Sequence, residues 1–125
     1  MQYCLIYRGK IDILLMPYNI NDYQPFRDGE VFNSPGEERC DFLLLNDEST
    51  PKASYYIELK GSDLPKAIRQ IENTIRLLSP SLPGYAVLRR IVYHTGSHNV
   101  QASEVLRWRA KYKAVIKERE YSENI

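Results

Sequence analysis

The chain has 125 residues, of which 43% are hydrophobic and 26% are charged, and its formal net charge is +1. These proportions are typical of one globular domain with its own core and exclude a disordered tail. No apolar run approaches the roughly 20 residues that a membrane-spanning helix needs, and the opening residues lack the segments of a secretion signal. We therefore expect a single cytoplasmic domain over residues 1–125, without a membrane partner.

Two strand-like runs open the chain and predict a β-hairpin. QYCLIY and KIDILLM are joined by Arg8 and Gly9, a connection typical of tight hairpin turns, and Pro17 ends the second run. Residues 18–39 are rich in Asn, Asp, Pro and Gly, which predicts a long irregular connection in which only EVF is extended.

Two strands and a helix are predicted next. CDFLLLND is a continuous apolar run, which predicts a central strand buried on both faces. SYYIELK predicts its antiparallel neighbour, because only the polar turn NDESTPKA separates the two. Gly61 ends that strand, Ser62 or Asp63 can cap a helix, and Pro65 suits its first turn. Apolar residues then recur at helical spacing: Leu64, Ala67, Ile68, Ile71, Ile75 and Leu78.

The last third of the chain predicts another strand and another helix. YAVLRRIVYH has the pattern of a buried strand, and VQASEVLRWRAKY that of a helix. The tail KAVIKERE predicts a final edge strand, with a continuation of the second helix to Glu120 as the alternative. The expected class is α/β, with a mixed β-sheet flanked by helices and an N-terminal hairpin.

Three charged residues should meet at one edge of this sheet. Glu58 and Lys60 are two residues apart on one strand, so they share a face, while Leu59 points to the core. Asp41 begins the antiparallel neighbour and should lie beside them. Two close carboxylates tolerate each other when a divalent cation lies between them, and hard oxygen ligands suit Mg²⁺ or Mn²⁺. A structural network of ion pairs is the alternative.

A metal ion held there could lower the pKa of bound water and polarise a phosphodiester. We expect Lys60 to position the water and stabilise the transition state. A role as general base is disfavoured, because nearby carboxylates favour the charged form of a lysine.

The succession of CDFLLL, YYIELK and a helix resembles the PD-(D/E)XK nuclease superfamily, over about residues 37–93. The resemblance implies a restriction-endonuclease-like fold and metal-dependent cleavage of DNA or RNA. It assigns Asp41 and Glu58 as catalytic, metal-binding acids and Lys60 as the catalytic lysine. It also implies that the backbone carbonyl of Leu59 is a metal ligand.

The helix after the lysine offers candidate nucleic-acid contacts. Several branches of the superfamily have a glutamine on this helix, for which Gln70 is the candidate. Lys66, Arg69 and Asn73 also lie outside the apolar stripe, where they would either contact phosphates or face water.

The chain departs from the superfamily pattern upstream of Asp41. A hairpin and a polar connection replace the usual helix with its acidic residue, and Glu38 is the nearest substitute as a metal ligand. Two hypotheses remain. One is a magnesium-dependent nuclease that acts on DNA more readily than on RNA, as a homodimer because one such domain offers little surface for a duplex. The other is an inactive nuclease-fold module that binds nucleic acid or a protein partner.

Other candidate residues have simpler interpretations. His94 and His98 are spaced like paired metal ligands, but no third ligand is evident near them, so zinc is a minor alternative. Cys40 begins an apolar strand, which indicates a buried structural thiol. Trp108 and Tyr112, four residues apart on a helix, indicate core packing rather than a base-stacking platform.

Positive charge is concentrated towards the end of the chain. Residues 85–125 contain eight Lys or Arg residues against four Asp or Glu. Such an excess beside aromatic side chains suits a phosphate backbone, although a solvated helix face is the commoner explanation.

Overall fold

A computed structural model of the chain describes residues 2–7, 10–15, 40–60, 63–94 and 100–124. Two helices are described, and neither is long and apolar enough to cross a bilayer. The regular elements in chain order are β1 (Gln2–Tyr7), β2 (Lys10–Leu15), β3 (Phe42–Asn46), β4 (Ala53–Lys60), α1 (Leu64–Leu78), β5 (Ala86–Tyr93), α2 (Ser103–Tyr112), β6 (Val115–Glu118) and β7 (Glu120–Asn124).

A mixed four-stranded sheet lies at the centre of the structure. Its order is β3-β4-β5-β6, with β3 antiparallel to β4 and the other two pairs parallel. The parallel pairs are connected by α1 and α2, as parallel strands require a crossover. Both helices pack against the same face of the sheet. The predicted α/β class with a mixed sheet is confirmed, and the flanking helices described here occupy one face.

The predicted N-terminal hairpin is confirmed. β1 pairs antiparallel with β2, and Tyr7 lies opposite Lys10, with residues 8 and 9 between them. β7 extends this hairpin to a second sheet with the order β1-β2-β7. The predicted irregular connection, including EVF, lies outside the described residues.

The C-terminal residues form two strands where one was predicted. β6 confirms the strand over the helical alternative, but β7 was missed because EYSEN has little apolar content. Between them, Arg119 adopts a left-handed conformation with φ 63°, and its N–H donates to the Tyr93 carbonyl at 2.7 Å. This turn carries the chain from one sheet to the other.

The prediction that β3 is a central strand buried on both faces is wrong. Among the strands that the structure describes, β3 is at the edge of the four-stranded sheet, with only β4 beside it. Phe42 and Leu44 are buried, Leu43 is half-buried, and the Leu45 side chain is 38% exposed. The helices lie over β4 and β5, so they cover the helix-side face of β3 only in part. A continuous apolar run therefore did not produce a strand buried on both faces.

Two cores form, one on each face of the four-stranded sheet. The helix-side core contains Cys40, Tyr56, Leu64, Ala67, Ile71, Ile91, Val105, Trp108, Ala114 and Ile116. The core on the other face contains Phe42, Leu44, Ala53, Tyr55, Ile57, Leu59 and Val92, with Tyr121 of β7 packed against it. Alternation along β4 therefore sends Tyr55, Ile57 and Leu59 to one core and Tyr56 to the other.

The local signals around α1 are confirmed. The Asp63 side chain caps the helix by accepting the Lys66 N–H at 3.0 Å, and Pro65 lies in the first turn. A short 3₁₀ turn at Ser79–Ser81 follows the helix. The buried face includes the predicted Leu64, Ala67 and Ile71, and also Thr74, which the apolar pattern did not predict.

A buried arginine joins the two sheets. The Arg90 guanidinium on β5 donates two hydrogen bonds to Glu123 on β7, at 2.7 and 2.8 Å, and the Tyr121 hydroxyl donates to the same carboxylate at 2.8 Å. Burial and the neighbouring Glu123 carboxylate raise the pKa of Tyr121 to about 12. The C-terminal strand is thus held against the central sheet by a planar, two-bond contact.

Replacing Glu123 tests this contact. Glu123→Ala leaves the buried Arg90 without its partner, so the free energy of unfolding should fall by about 2–4 kcal/mol. The Glu123 side chain is 19% exposed, which favours the lower part of that range. Glu120→Ala removes an exposed carboxylate from the same strand and should cost at most about 0.5 kcal/mol in urea unfolding followed by circular dichroism. Equal losses in the two variants would contradict the interpretation.

The contribution of Glu123 should also depend on pH. Burial alone would raise the pKa of Glu123, but hydrogen bonds from Arg90 and Tyr121 outweigh it and hold this pKa below its usual 4.5. A carboxyl group with a lowered folded-state pKa stabilises the fold above its unfolded pKa and loses that effect as the pH falls. The stability difference between the native protein and Glu123→Ala should therefore shrink between about pH 6 and pH 3.

Candidate functional site

The candidate site lies where β3 begins and β4 ends. β3 runs antiparallel to β4, with Phe42 opposite Ile57, so Asp41 precedes β3 at the level of Glu58. Glu58 lies on the face of β4 that packs against the helices, as does Tyr56 two residues before it. The strand order thus places both carboxylates at one edge of the sheet.

Two hydrogen bonds connect Asp41 to consecutive residues of β4, Glu58 and Leu59. The Asp41 N–H donates to Glu58 Oε1 at 3.0 Å, and the Leu59 N–H donates to Asp41 Oδ2 at 2.8 Å. Each side chain thus accepts from the other strand just beyond the point where the regular ladder ends. The two carboxylates that the sequence placed together are neighbours in the structure.

The two carboxylates differ in exposure. Glu58 is only 2% exposed, whereas Asp41 is half-buried. A buried carboxylate costs free energy unless hydrogen bonds or a cation compensate for the lost water. One compensation is the bond from the Asp41 N–H. A cation bound between the two groups would be another, and the half-buried Asp41 side chain is the one nearer to solvent.

The peptide group of Leu59 is oriented towards Asp41. In an extended strand the N–H and C=O of one residue point to the same neighbouring strand. Because the Leu59 N–H reaches Asp41 Oδ2, the Leu59 carbonyl is turned to the same side of β4. Its side chain is buried in the opposite core. The carbonyl that the superfamily resemblance implies as a ligand is thus on the side of the two carboxylates.

A threonine on α1 anchors the start of β3. The Cys40 N–H donates to Thr74 Oγ1 at 2.8 Å, and the Thr74 hydroxyl donates to the Gln70 carbonyl one turn earlier at 2.7 Å. Thr74 is fully buried. The sequence analysis missed it, since a lone threonine within an apolar stripe gives no sign of its partner. The residue immediately before Asp41 is therefore fixed to the helix.

The thiol of Cys40 is a core group. Cys40 is buried, belongs to the helix-side core, and its Sγ contacts the Phe42 carbonyl at 3.4 Å. This agrees with the interpretation as a structural thiol.

The contacts of α1 show which flank of the helix lies towards the site. Thr74 reaches Cys40 at the β3 side, whereas Glu72 reaches Arg89 of β5 and Trp108 of α2 on the opposite side. Gln70 is one turn from Thr74 and therefore lies on the β3 flank, where it is half-buried.

The other predicted contacts on α1 follow from this orientation. Lys66 lies one turn before Gln70 and is exposed, as is Arg69. Asn73 is half-buried and accepts a hydrogen bond from Arg76 at 2.7 Å. Gln70 and Lys66 therefore lie along the flank beside the candidate site.

Several predicted residues are only partly described or lie outside the description. The backbone of Lys60 ends β4 opposite Tyr93, but its side chain lies outside the description, as do Glu38 and His98. His94 follows β5 and is half-buried. Among the described residues, no group of three or more His, Cys, Asp or Glu side chains is arranged to hold a metal ion. The described part of the candidate site has two such side chains, Asp41 and Glu58, and one backbone carbonyl, so it is not a group of this kind.

Trp108 and Tyr112 belong to a packed cluster around Arg89. Trp108 is 8% exposed and its indole N–H donates to Glu72 at 3.1 Å. Arg89 donates to the same carboxylate at 2.6 Å and lies 3.7 Å from the centre of the Tyr112 ring. Core packing is confirmed for this aromatic pair.

Comparison of the chain with protein-family models, with curated proteins and with solved structures found no match. The resemblance to the PD-(D/E)XK superfamily accordingly stays a prediction from the sequence around Asp41, Glu58 and Lys60.

Removing the Thr74 hydroxyl tests the anchor of β3. Thr74→Val keeps the volume but leaves the buried Cys40 N–H without an acceptor, so the free energy of unfolding should fall by about 1–3 kcal/mol. Thr74→Ser keeps the hydroxyl and should recover most of the loss apart from one methyl group, worth about 1 kcal/mol. Urea unfolding of the three proteins gives these values, and a valine variant as stable as the native protein would exclude the anchor.

Proposed function

We propose that this chain is a metal-dependent nuclease that hydrolyses phosphodiester bonds in DNA. The proposed catalytic residues are Asp41, Glu58 and Lys60. The observation that supports this best is the pair of hydrogen bonds between Asp41 and β4: the Asp41 N–H donates to the Glu58 carboxylate, and the Leu59 N–H donates to the Asp41 carboxylate. Glu58 precedes Lys60 by two residues on this strand. Two adjacent carboxylates beside an outward-turned carbonyl are a suitable ligand set for a hard divalent cation.

The proposal includes a restriction-endonuclease-like arrangement. The order β3, β4, α1 and β5, with β3 antiparallel and β5 parallel to β4, supports it. A cytoplasmic location and a homodimeric state are proposed with it, the latter because one domain of this size has little surface for gripping a duplex.

The donor atoms fit Mg²⁺ or Mn²⁺. Asp41, Glu58 and the Leu59 carbonyl would hold the ion, with Glu38 as the proposed additional ligand. When bound, such an ion supplies an acidified water and polarises the phosphate. The protein contributes the fixed positions: Glu58 is held by the Asp41 N–H, Asp41 by the Leu59 N–H, and the chain before Asp41 by Thr74.

Lys60 is proposed to orient the attacking water and to stabilise negative charge on the phosphate. Lys60 follows Glu58 by two residues on β4, and the alternation of side chains along a strand predicts that the two share a face. In this proposal the ammonium donates hydrogen bonds and is not the general base, because nearby carboxylates favour the charged form of a lysine. Gln70 and Lys66, on the adjacent flank of α1, are proposed to contact the nucleic acid near the cleaved bond, together with Arg69 and Asn73.

Metal binding can be tested without substrate. Mg²⁺ or Mn²⁺ at millimolar concentration should raise the melting temperature of the native protein, because a ligand that binds only the folded state stabilises it. Glu58→Gln keeps an acceptor for the Asp41 N–H but removes a charge, so it should abolish the metal-dependent increase. Circular dichroism without metal checks that this variant is folded. Glu48→Gln removes an exposed carboxylate elsewhere and should leave the increase unchanged.

Cleavage tests the reaction itself. Labelled single-stranded, duplex and branched DNA, and RNA, are incubated with the native protein and with Lys60→Ala, in Mg²⁺, Mn²⁺ or chelator. Cutting should require metal and should fall by about 10²–10³-fold in Lys60→Ala, the usual loss for a removed transition-state donor. Lys52→Ala removes an exposed lysine beyond the opposite end of β4 and should cut normally.

The rival hypothesis predicts a different result. A folded protein that binds nucleic acid but cuts none of these substrates in either metal would be an inactive nuclease-fold module. Cutting that persists in chelator would contradict a metal-dependent role for Asp41 and Glu58. Cutting that persists in Lys60→Ala would exclude Lys60 from the mechanism.

A further inference from the structure

Exposed charge is unevenly distributed over the described surface. The helical face is defined here as the exposed side chains of residues 63–81 and 100–113. On this face, the charged residues are seven cations, Lys66, Arg69, Arg76, Arg107, Arg109, Lys111 and Lys113, and two acids, Asp63 and Glu104. Elsewhere, the exposed charged residues that the structure describes are three cations, Lys52, Lys117 and Arg119, and four acids, Asp47, Glu48, Glu118 and Glu120. Among the described residues of this chain, whose net charge is +1, the helical face is therefore strongly cationic.

The cations of α2 are not neutralised within the described part of the protein. Arg89 and Arg90, which contribute to the C-terminal basic excess, are paired with Glu72 and Glu123. No ion pair is found there for Arg107, Arg109, Lys111 or Lys113. The buried arginines of β5 thus stabilise the fold, whereas these exposed cations are directed to solvent.

The spacing of two of these cations is unfavourable for an isolated helix. Arg107 and Lys111 are four residues apart within α2. Like charges at this spacing repel each other and destabilise a helix. A helix face that is merely solvated usually alternates acids and bases instead. An external polyanion would relieve this repulsion.

The helical face begins at the candidate site. α1 starts directly after β4, so it begins near the end of the strand where Glu58 lies. α2 follows β5, which is parallel to β4 and ends opposite Lys60, and it packs against the same face of the sheet as α1. At 1.5 Å per residue, the 15 residues of α1 span about 22 Å. A DNA strand presents one phosphate about every 3.4 Å, so several phosphates could face this length.

We propose that the helical face binds the sugar–phosphate backbone of duplex DNA and anchors it beside the site, with the cations of α2 as its outer part. The identification of the polyanion rests on the proposed nuclease function. Contacts of this kind are electrostatic and independent of base sequence, and they weaken as salt is raised. Arg107 and Lys111 are binding residues in this account and have no role in the chemical step.

Binding is measured in chelator, so that cleavage is neither needed nor possible. Fluorescence anisotropy of a short labelled DNA duplex gives the dissociation constant over a range of salt concentrations. The double variant Arg107→Glu/Lys111→Glu should weaken binding at least about tenfold and reduce the salt slope by about two, one for each lost phosphate contact. The matched control Lys52→Glu/Lys117→Glu changes the net charge equally, away from the helical face, and should weaken binding less than about threefold.

Each other outcome counts against the proposal. Equal weakening in the two double variants would show that only net charge matters. Binding without salt dependence, or none by the native protein, would exclude a phosphate-backbone surface. Displacement of the duplex by polyglutamate as effectively as by unlabelled duplex would indicate an acidic protein partner instead. If circular dichroism shows that the charge-reversed variant is unfolded, Arg107→Gln/Lys111→Gln decides the question, with a loss of about threefold expected.

The proposed DNA-binding surface and the proposed nuclease activity can be disproved separately. Salt-dependent binding through α2 without any cutting in metal would support the binding surface and exclude the nuclease activity. Metal-dependent cutting that is identical in the native protein and in Arg107→Glu/Lys111→Glu at every salt concentration would support the nuclease activity and exclude the binding surface.

Discussion

The backbone N–H groups at the buried start of β3 must be paired, and the way they are paired determines the geometry of the candidate site. An unpaired buried N–H costs as much as a lost hydrogen bond. The Cys40 N–H is paired with Thr74 of α1, and the Asp41 N–H with the Glu58 carboxylate. The edge strand is thus fixed to the helix and to the central strand at consecutive residues, and the Asp41 side chain is directed to Leu59 as a result.

Two consecutive arginines on β5 connect the layers. Alternation sends Arg89 to the helix face, where Glu72 and the ring of Tyr112 bind it, and Arg90 to the other face, where Glu123 binds it. One residue thus connects the sheet to α1 and α2, and the next connects it to β7. Both cations are therefore part of the fold, which separates them from the solvent-facing cations of α2.

The candidate site and the helical face could be predicted from the sequence to different degrees. Asp41 and Glu58 were predicted to be neighbours because a short turn between two strands permits only antiparallel pairing, and their register follows from the turn. Helical periodicity correctly predicted that Leu64, Ala67 and Ile71 of α1 are buried, but it missed Thr74. The other residues of the predicted apolar stripe are half-buried, as are Gln70 and Asn73 outside it. The basic excess of residues 85–125 was visible in the sequence, but its division between buried and exposed arginines was not. That division depends on Glu72 and Glu123, which are 17 and 33 residues away along the chain.

By itself, the sequence determined the local elements: the hairpin, the capped helix α1, the strand pair β3–β4 and the charges at their shared end. These follow from short-range rules of periodicity, turn chemistry and capping, which act over a few residues. Only the tertiary structure decided that β3 is an edge strand, that EYSEN is a strand, and that Thr74 reaches Cys40. Each of these depends on a partner distant in the chain. A polar segment becomes a strand when another strand satisfies its N–H and C=O groups, and a threonine becomes an anchor when a buried N–H lies opposite its hydroxyl.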